Sequence, residues 1–256
     1  MVYFKDDITV YFGKHNTLPH SHFAIEIMVG FNCLLESKLI NKHLKPAKAF
    51  MILPNYSHQF SSDREEGEKL IFLIDAGIPI ARNIVTKYQL REKKIIDLDF
   101  KSIETYANSI FSKKENNSKA GHEKIYETAV QFINHLNQTA PMRNLVSPDL
   151  DERILVATKY VQENIQDQNL DFALLAQKVC LSESRLAHLF KEELGVPFRK
   201  YVLWVRLKAA VAAIKSNHSI TQASYIAGFS DSSHFSKVYS EMLGIKPSVT
   251  LLDYKR

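Results

Sequence analysis

The first 76 residues contain several short segments in which apolar and polar positions alternate. Two of them, ITVYF and FAIEIMV, have an apolar side chain at every second position, which is typical of β-strands with one buried face. The alternating residues are Ile8, Val10, Phe12, Phe23, Ile25, Ile27 and Val29. AFMILP and KLIFLIDA are more continuously apolar and indicate buried strands. Several short strands at close spacing predict a sandwich or a small barrel.

After residue 99 the apolar spacing changes to three and four, the period of an amphipathic helix. One stripe is formed by Ile103, Ala107, Ile110 and Phe111, and a second by Ile125, Ala129, Phe132, Ile133 and Leu136. The polar segment KKENNSK between them predicts a loop. Two arrangements fit this pattern: a helical hairpin within the chain, or a second helix that pairs with its copy in another subunit.

The segment TAPMRNLVSPD, with Pro141 and Pro148, is typical of a linker between domains. We therefore divide the chain into a β-rich domain at residues 1–140, a linker at 141–150 and an all-helical domain at 151–256. This arrangement predicts the fold class α+β.

Two segments of the helical part, residues 171–195 and 219–244, resemble each other at an offset of 49 residues. Each predicts a short helix, a tight turn and a longer helix that begins after Ser or Asp and ends at Gly. Such a unit is a helix-turn-helix. Residues 198–215 between the copies predict one continuous helix, roughly 27 Å long. Because successive major-groove faces of B-DNA lie ~34 Å apart, this helix is suited to holding two recognition helices in adjacent turns of the groove.

The C-terminal stretch, about residues 153–253, resembles the DNA-binding domain of AraC/XylS-type transcriptional regulators. The resemblance is carried by SESRLAHLFKEELGVPFRKYVLWVRLKAA in the first copy and by IAGFSDSSHFSKVYSEMLGIKPS in the second. It implies double-stranded DNA as a partner. The implied DNA-binding residues are Ser184, Arg185, Ala187, His188, Lys191, Ser232, Ser233, Ser236 and Lys237, whereas Leu186, Leu189, Phe190, Phe235, Val238 and Tyr239 are expected in the core.

Some positions depart from the family pattern. His188 and Lys237 stand where the family often has arginine, so we expect modest sequence selectivity at each half-site. Cys180 stands where the first turn usually has glycine, and we expect this turn to be looser than the second, which retains Gly228. Arg206 is predicted to form a structural ion pair, and Trp204 to pack in the core.

The N-terminal segments PHSHFAIE and ILPNYSH resemble the metal-binding motifs of cupin-type β-barrels, which implies a cupin-like β-barrel followed by helices. In this interpretation His20, His22, Glu26 and His58 form a site of three histidines and one carboxylate. On a straight strand, however, Glu26 would lie roughly 13 Å from His22, and the glycines that flank both cupin motifs are missing. We therefore predict no bound metal and no cofactor, with a metal site at these four residues as the alternative.

The amino-acid composition constrains the partners and the compartment of the protein only weakly. The formal net charge is +5 with a pI near 9.0, and the excess is shared by both halves of the chain, so charge alone does not mark a nucleic-acid-binding half. Cys33 and Cys180 are far apart and have no metal-type spacing, which favours a reducing compartment. A signal peptide and a membrane span are not expected. We therefore predict a cytoplasmic protein without a membrane partner.

These observations predict a sequence-specific, DNA-binding transcription regulator that is not an enzyme. The family resemblance implies an activator that forms a homodimer, binds a small-molecule effector in its barrel and contacts RNA polymerase. Two alternatives stay open: a cupin-type metalloenzyme fused to a DNA-binding domain, and a ligand-independent DNA-binding protein. Neither a P-loop nor a nucleophile elbow nor a dinucleotide-binding fingerprint occurs in the sequence.

Overall fold

A computed structural model describes residues 2–5, 7–39, 42–43, 45–113, 119–142 and 149–251 of the chain. The chain divides into two compact units, residues 1–147 and 148–256. The division falls inside the predicted linker at 141–150, of which residues 143–148 lie outside the described part of the chain.

The N-terminal unit contains two antiparallel sheets. The larger sheet has the strand order β1–β2–β8–β3–β6–β9, with β1 Val2–Lys5, β2 Ile8–Gly13, β3 Ala24–Gly30, β6 Ala49–Ile52, β8 Lys69–Asp75 and β9 Ile95–Asp97. The smaller sheet has the order β5–β4–β7, with β4 Leu35–Leu39, β5 Lys42–His43 and β7 His58–Ser62. All four segments predicted as strands are therefore confirmed.

The central strand β3 is buried on both faces. Ile25, Ile27 and Val29 belong to one apolar core, which the larger sheet shares with the helices of this unit. Met28 points to the other face and belongs to a second core that includes Phe60 of the smaller sheet. The two sheets therefore enclose an interior of their own, and the predicted barrel-like architecture is confirmed.

The described residues of the unit also form four helices: α1 Pro79–Lys87, α2 Leu90–Lys93, α3 Phe100–Phe111 and α4 Lys119–Thr139. Helix α4 packs on α3 and α1, and its apolar stripe is buried against the sheet, where the rings of Phe132 and Phe72 lie 4.8 Å apart. Of the two arrangements that the sequence allowed, the structure contains the helical hairpin within one chain. Most of the predicted loop, residues 114–118, lies outside the described residues.

The C-terminal unit is helical throughout its described part. Its helices are α5 Glu152–Glu163, α6 Phe172–Lys178, α7 Glu183–Leu194, α8 Phe198–Lys215, α9 Ile220–Ile226, α10 Ser232–Leu243 and α11 Pro247–Thr250. The pairs α6–α7 and α9–α10 are the two predicted helix-turn-helix motifs, and α8 has the predicted bounds. None of the helices in the described ranges combines the length and apolar character needed to cross a bilayer.

Both motifs turn through a residue in the left-handed region, Cys180 at φ 54° and Gly228 at φ 79°. Cys180 therefore adopts a conformation that favours glycine, the residue that the family usually has at this position. The expectation of a looser first turn is wrong, because the backbone hydrogen bonds are equivalent. The amides of Cys180 and Leu181 donate to the carbonyls three and five residues earlier, as do those of Gly228 and Phe229.

The two glycines at positive φ in the C-terminal unit, Gly228 and Gly195, should respond differently to alanine. A Cβ at Gly228 would lie 2.2 Å from the carbonyl oxygen of Ile165 and 3.0 Å from Nε of Arg206, whereas one at Gly195 would meet nothing within 4 Å. We expect Gly195→Ala to lower the free energy of unfolding by about 1–2 kcal/mol through backbone strain alone. Gly228→Ala should cost about 1–3 kcal/mol more.

Urea unfolding followed by the fluorescence of Trp204, the single tryptophan, measures both values in this unit. Equal losses for the two variants would contradict the close packing of Gly228 on the backbone of Ile165, two residues after the end of α5.

Candidate DNA-binding surface and histidine cluster

Each recognition helix is defined at both ends by local interactions. The hydroxyl of Ser182 accepts a hydrogen bond from the amide of Arg185 at the start of α7, and Asp231 accepts one from the amide of His234 at the start of α10. Gly195 and Gly244, in the left-handed conformation, end the two helices. The two long helices of the motifs therefore have matched lengths of 12 residues.

The inner faces of α7 and α10 are apolar. All six residues expected in the core are buried there: Leu186, Leu189, Phe190, Phe235, Val238 and Tyr239. Both helices pack on α8, so one helix supports both recognition helices. Because the inner faces are buried in this way, the opposite faces are left to solvent.

The structure places the predicted DNA-binding residues on these outer faces. Seven are exposed, Ser184, Arg185, Ala187, His188, Lys191, Ser233 and Lys237, while Ser232 and Ser236 are half-buried. The hydroxyl of Ser236 donates to the carbonyl oxygen of Ser232 at 2.8 Å, so its donor is already used within the helix. Its remaining role toward a ligand is that of an acceptor.

Two acidic residues on the same faces were missed by the sequence analysis. Glu192 lies 3.8 Å from Nε2 of His188, and Glu241 lies 4.0 Å from Nζ of Lys237. Their spacing of four residues from His188 and Lys237 could have revealed both pairs. The 49-residue offset of the repeat also relates the two pairs to each other. Each motif therefore presents a base-reading candidate beside a carboxylate.

Three further residues of the C-terminal unit have structural roles. Arg206 is buried and donates from Nη2 to the backbone carbonyl of Asp167 at 2.6 Å, and burial lowers its pKa. Arg206 therefore has a structural role, as predicted, but its partner is a carbonyl oxygen, and the predicted ion pair is not found among the described residues. Trp204 is buried, as predicted. His234 packs edge-on against the ring of Phe229 at 5.3 Å.

In the N-terminal unit, His20, His22, Glu26 and His58 form a compact cluster, referred to below as the histidine cluster. All four residues are between 2% and 5% exposed. Oε2 of Glu26 lies 2.8 Å from Nε2 of His22, 2.8 Å from Nε2 of His58 and 3.7 Å from Nε2 of His20. The separation expected for a straight strand is wrong, because β3 begins only at Ala24 and His22 lies in the irregular segment before it.

The histidine cluster favours an ionised Glu26. Burial by itself raises the pKa of Glu26, but the three facing imidazole rings, that of His58 foremost, hold this pKa well below its usual range. Burial lowers the pKa of His22, against the opposing effect of Glu26. A carboxylate and a neutral imidazole are the forms in which these groups act as acceptors or ligands.

Comparison with known protein families identifies the kind of domain that contains the C-terminal motifs. Residues 175–252 match the model of a helix-turn-helix domain family. The arabinose operon regulatory protein of Escherichia coli (strain K12) is 32% identical to this chain over 114 residues. The C-terminal unit is an AraC-type helix-turn-helix domain. The resemblance recognised in the sequence is therefore confirmed.

The alignments with curated relatives cover parts of each chain. The arabinose operon regulatory protein aligns with 44% of this chain and 39% of its own length. The HTH-type transcriptional regulator ArgR of Pseudomonas aeruginosa is 29% identical over 47% of this chain and 37% of its own. This chain thus spans about two fifths of the length of these relatives. The AraC-type domain is similar in size to the region that aligns with them.

The fold of the whole chain is similar to that of ToxT from Vibrio cholerae. A crystal structure of wild-type ToxT from strain SCE256, bound to an unsaturated fatty acid, has a TM-score of 0.62 and 17% identity, covering 98% of this chain and 95% of ToxT. ToxT from strain O395 has a TM-score of 0.59 and 16% identity over 95% of this chain and 96% of ToxT. At this identity the likeness establishes the fold alone, a sheet-rich domain followed by a helical domain.

The helix cap at Asp231 predicts a pH-dependent stability of the second motif. A backbone hydrogen bond from His234 and a side-chain hydrogen bond from Ser230 hold the pKa of Asp231 below its usual value near 3.8. Ionised Asp231 therefore stabilises the fold above about pH 4, and this contribution is lost as the pH falls through the lowered pKa. At pH 7, Asp231→Ala should lower the urea midpoint by roughly half a molar, whereas Asp231→Asn keeps an acceptor and should lose less.

Urea unfolding of the three proteins at pH 7 and pH 3, followed by Trp204 fluorescence, tests this cap. The difference between wild type and Asp231→Asn should shrink at pH 3. A difference that is constant with pH would show that the charge of Asp231 does not stabilise α10.

Proposed function

We propose that this protein is a transcription regulator that binds double-stranded DNA through α7 and α10. The observation that carries the proposal is the pair of helix-turn-helix motifs supported by the single helix α8. The nine predicted DNA-binding residues lie on the outer faces of these motifs, and seven of them are exposed. Relatives of the AraC-type domain are named as regulators, which supports the same function.

The length of α8 supports binding to two turns of the same groove. Its 18 residues extend about 27 Å, and successive major-groove faces on one side of B-DNA lie about 34 Å apart. Two recognition helices packed on a support of this length can each enter one of two successive turns of the major groove. We therefore propose two contact regions about 10 base pairs apart within one DNA site.

Glu192 and Glu241 restrict the DNA contacts that the two recognition helices can make. A carboxylate accepts from the amino group of cytosine and repels phosphates, whereas lysine and histidine donate to guanine or to phosphate. Glu192 and Glu241 therefore offset the attraction of His188 and Lys237 to DNA in general. We propose that this balance favours selected sequences over random DNA, which argues against the ligand-independent DNA-binding alternative.

We further propose that the N-terminal unit controls DNA binding by holding an effector. A ToxT structure with a bound unsaturated fatty acid supports a ligand-binding role for this fold. One relative, 27% identical over 57% of this chain, is named Transcriptional activator AggR of Escherichia coli, which favours activation over repression. Homodimer formation, contact with RNA polymerase and action on chromosomal DNA in the cytoplasm belong to the same proposal.

We also propose that the protein is not an enzyme. The relatives named above are transcription regulators, and the sequence contains neither a phosphate-binding loop nor a nucleophile elbow. A cupin-type enzymatic activity fused to the AraC-type domain has no observation beyond the histidine cluster in its favour.

Replacing Lys237 provides the sharpest test of the DNA-binding surface, because Lys159 is a closely matched control. Both lysines face a glutamate four residues later, and their side chains are 74% and 75% exposed. Lys159 lies on α5, outside the two recognition helices. We expect Lys237→Ala to weaken binding to a selected DNA site by about 1–3 kcal/mol and Lys159→Ala to leave it unchanged.

The site is first selected from random duplexes with the full chain, and affinities are then measured by fluorescence anisotropy at several salt concentrations. Footprints of the selected site should contain two protected regions one helical turn apart. Equal losses for both variants, with no preference for the selected site over random DNA, would favour a nonspecific DNA-binding protein.

A further inference from the structure

The hydrogen bonds around the histidine cluster determine which ring nitrogens carry protons. Nδ1 of His20 lies 2.8 Å from the carbonyl oxygen of Leu18, and Nδ1 of His58 lies 2.7 Å from that of Tyr56. A carbonyl oxygen only accepts hydrogen bonds, so both Nδ1 atoms must donate. In the neutral form of each ring, Nε2 then presents a bare lone pair.

These lone pairs point at the carboxylate of Glu26, which in its ionised form also only accepts hydrogen bonds. Oε2 of Glu26 faces Nε2 of His58 at 2.8 Å and Nε2 of His20 at 3.7 Å. Two lone pairs that face one another at 2.8 Å, as those of His58 and Glu26 do, need a cation between them, either a proton or a metal ion. The same oxygen also faces Nε2 of His22, so one carboxylate oxygen is the common centre of three imidazoles.

Protons alone are a poor solution for this arrangement. A proton on Nε2 of His58 would satisfy its contact with Glu26 as a buried ion pair, but it would leave Nε2 of His20 as a bare lone pair 3.7 Å from the same oxygen. A second proton, on His20, would place two imidazolium rings 4.1 Å apart beside a single negative charge, and like charges at that distance repel strongly where water is excluded. One divalent ion accepts the lone pairs of all four groups at once and balances the carboxylate.

We propose that His20, His22, Glu26 and His58 bind one divalent transition-metal ion inside the N-terminal unit. Their ligand atoms all lie within 4.8 Å of one another. Ligands on an ion with bonds of about 2.0–2.1 Å lie about 3.3–4.2 Å apart, so binding requires side-chain shifts of only about half an ångström. Three imidazoles and one carboxylate suit zinc, iron, cobalt, nickel or copper and do not suit calcium or magnesium.

The backbone holds these ligands in place before an ion arrives. His20 and His58 form a β-bridge, with backbone hydrogen bonds of 2.9 and 3.0 Å in the two directions. The carbonyl oxygen of His22 accepts from the amide of Asn55 at 2.8 Å, and Glu26 lies on β3 between two paired strands. The carbonyl partners of His20 and His58 orient the rings as the outer shell of a metal site does.

Because Glu26 belongs to the larger sheet and His58 to the smaller one, a bound ion would connect the two sheets. The site therefore couples metal binding to the stability of the N-terminal unit. This inference goes beyond the proposed DNA-binding function and does not depend on it.

The test is a titration of the full chain with Co²⁺ after removal of metals by a chelator. Absorption in the visible range reports ligand-field bands, and elemental analysis of the dialysed protein gives the stoichiometry. We expect one Co²⁺ per chain, displaced by Zn²⁺. His22→Gln, His58→Gln and Glu26→Gln should each weaken Co²⁺ binding at least about 100-fold. Removing an outer-shell partner of a metal ligand costs up to about 100-fold, and removing a ligand itself should cost at least as much.

His15→Gln is the matched control, because His15 is an exposed histidine five residues before the cluster. It should bind Co²⁺ as the wild type does. Circular dichroism establishes which variants are folded. The wild type gives a second readout that needs no variant: Zn²⁺ at about 100 times its dissociation constant should raise the melting temperature of the N-terminal unit by about 5–10 °C.

A folded wild type with no saturable Co²⁺ binding and no Zn²⁺-dependent stabilisation would overturn the proposal, and so would equal losses in His15→Gln and His22→Gln. The anisotropy titration with the selected DNA is run on the same samples. Loss of metal binding with intact selective DNA binding counts against the metal site alone, and metal binding without DNA selectivity counts against the proposed function alone.

Discussion

The N-terminal unit depends on the burial of β3 on both of its faces. Alternate side chains of this strand enter two different cores, one shared with the helices and one enclosed between the sheets. Glu26 falls on the inner face, so a strand that is buried along its whole length also carries the carboxylate of the histidine cluster. An ionised group at such a position is tolerated only where the facing groups compensate its charge, and three imidazoles face it here.

The C-terminal unit satisfies one set of local constraints twice. Each motif needs an N-cap for its long helix, three apolar residues on the inner face and a left-handed residue in the turn. Cys180 meets the last requirement at the cost of backbone strain, and Gly228 meets it without that strain but under close contact with the backbone of Ile165. The two turns therefore reach the same hydrogen-bond pattern by different means, and the stability of each depends on a different interaction.

The two candidate sites use charge in opposite ways. On α7 and α10 the side chains of His188 and Lys237 are exposed and stand beside carboxylates, so each pair is weak and easily exchanged for contacts with DNA. In the histidine cluster all four groups are withdrawn from water, where the same kinds of group interact strongly and need a compensating ion. The first arrangement suits reversible recognition of a polyanion, and the second suits tight binding of a small cation.

The sequence by itself determined the elements whose signals are local. The strand alternation, the two helical stripes, the bounds of α8 and the repeat with its buried triplets follow from spacing and capping, which neighbouring residues decide. Spacing along β3 could not predict that His22 and Glu26 meet, because that depends on where the strand begins and on the bridge between His20 and His58. The pairing of the sheets, the choice of a hairpin within the chain and the convergence of the four ligands were decided only by tertiary structure, since each depends on contacts between residues far apart in the chain.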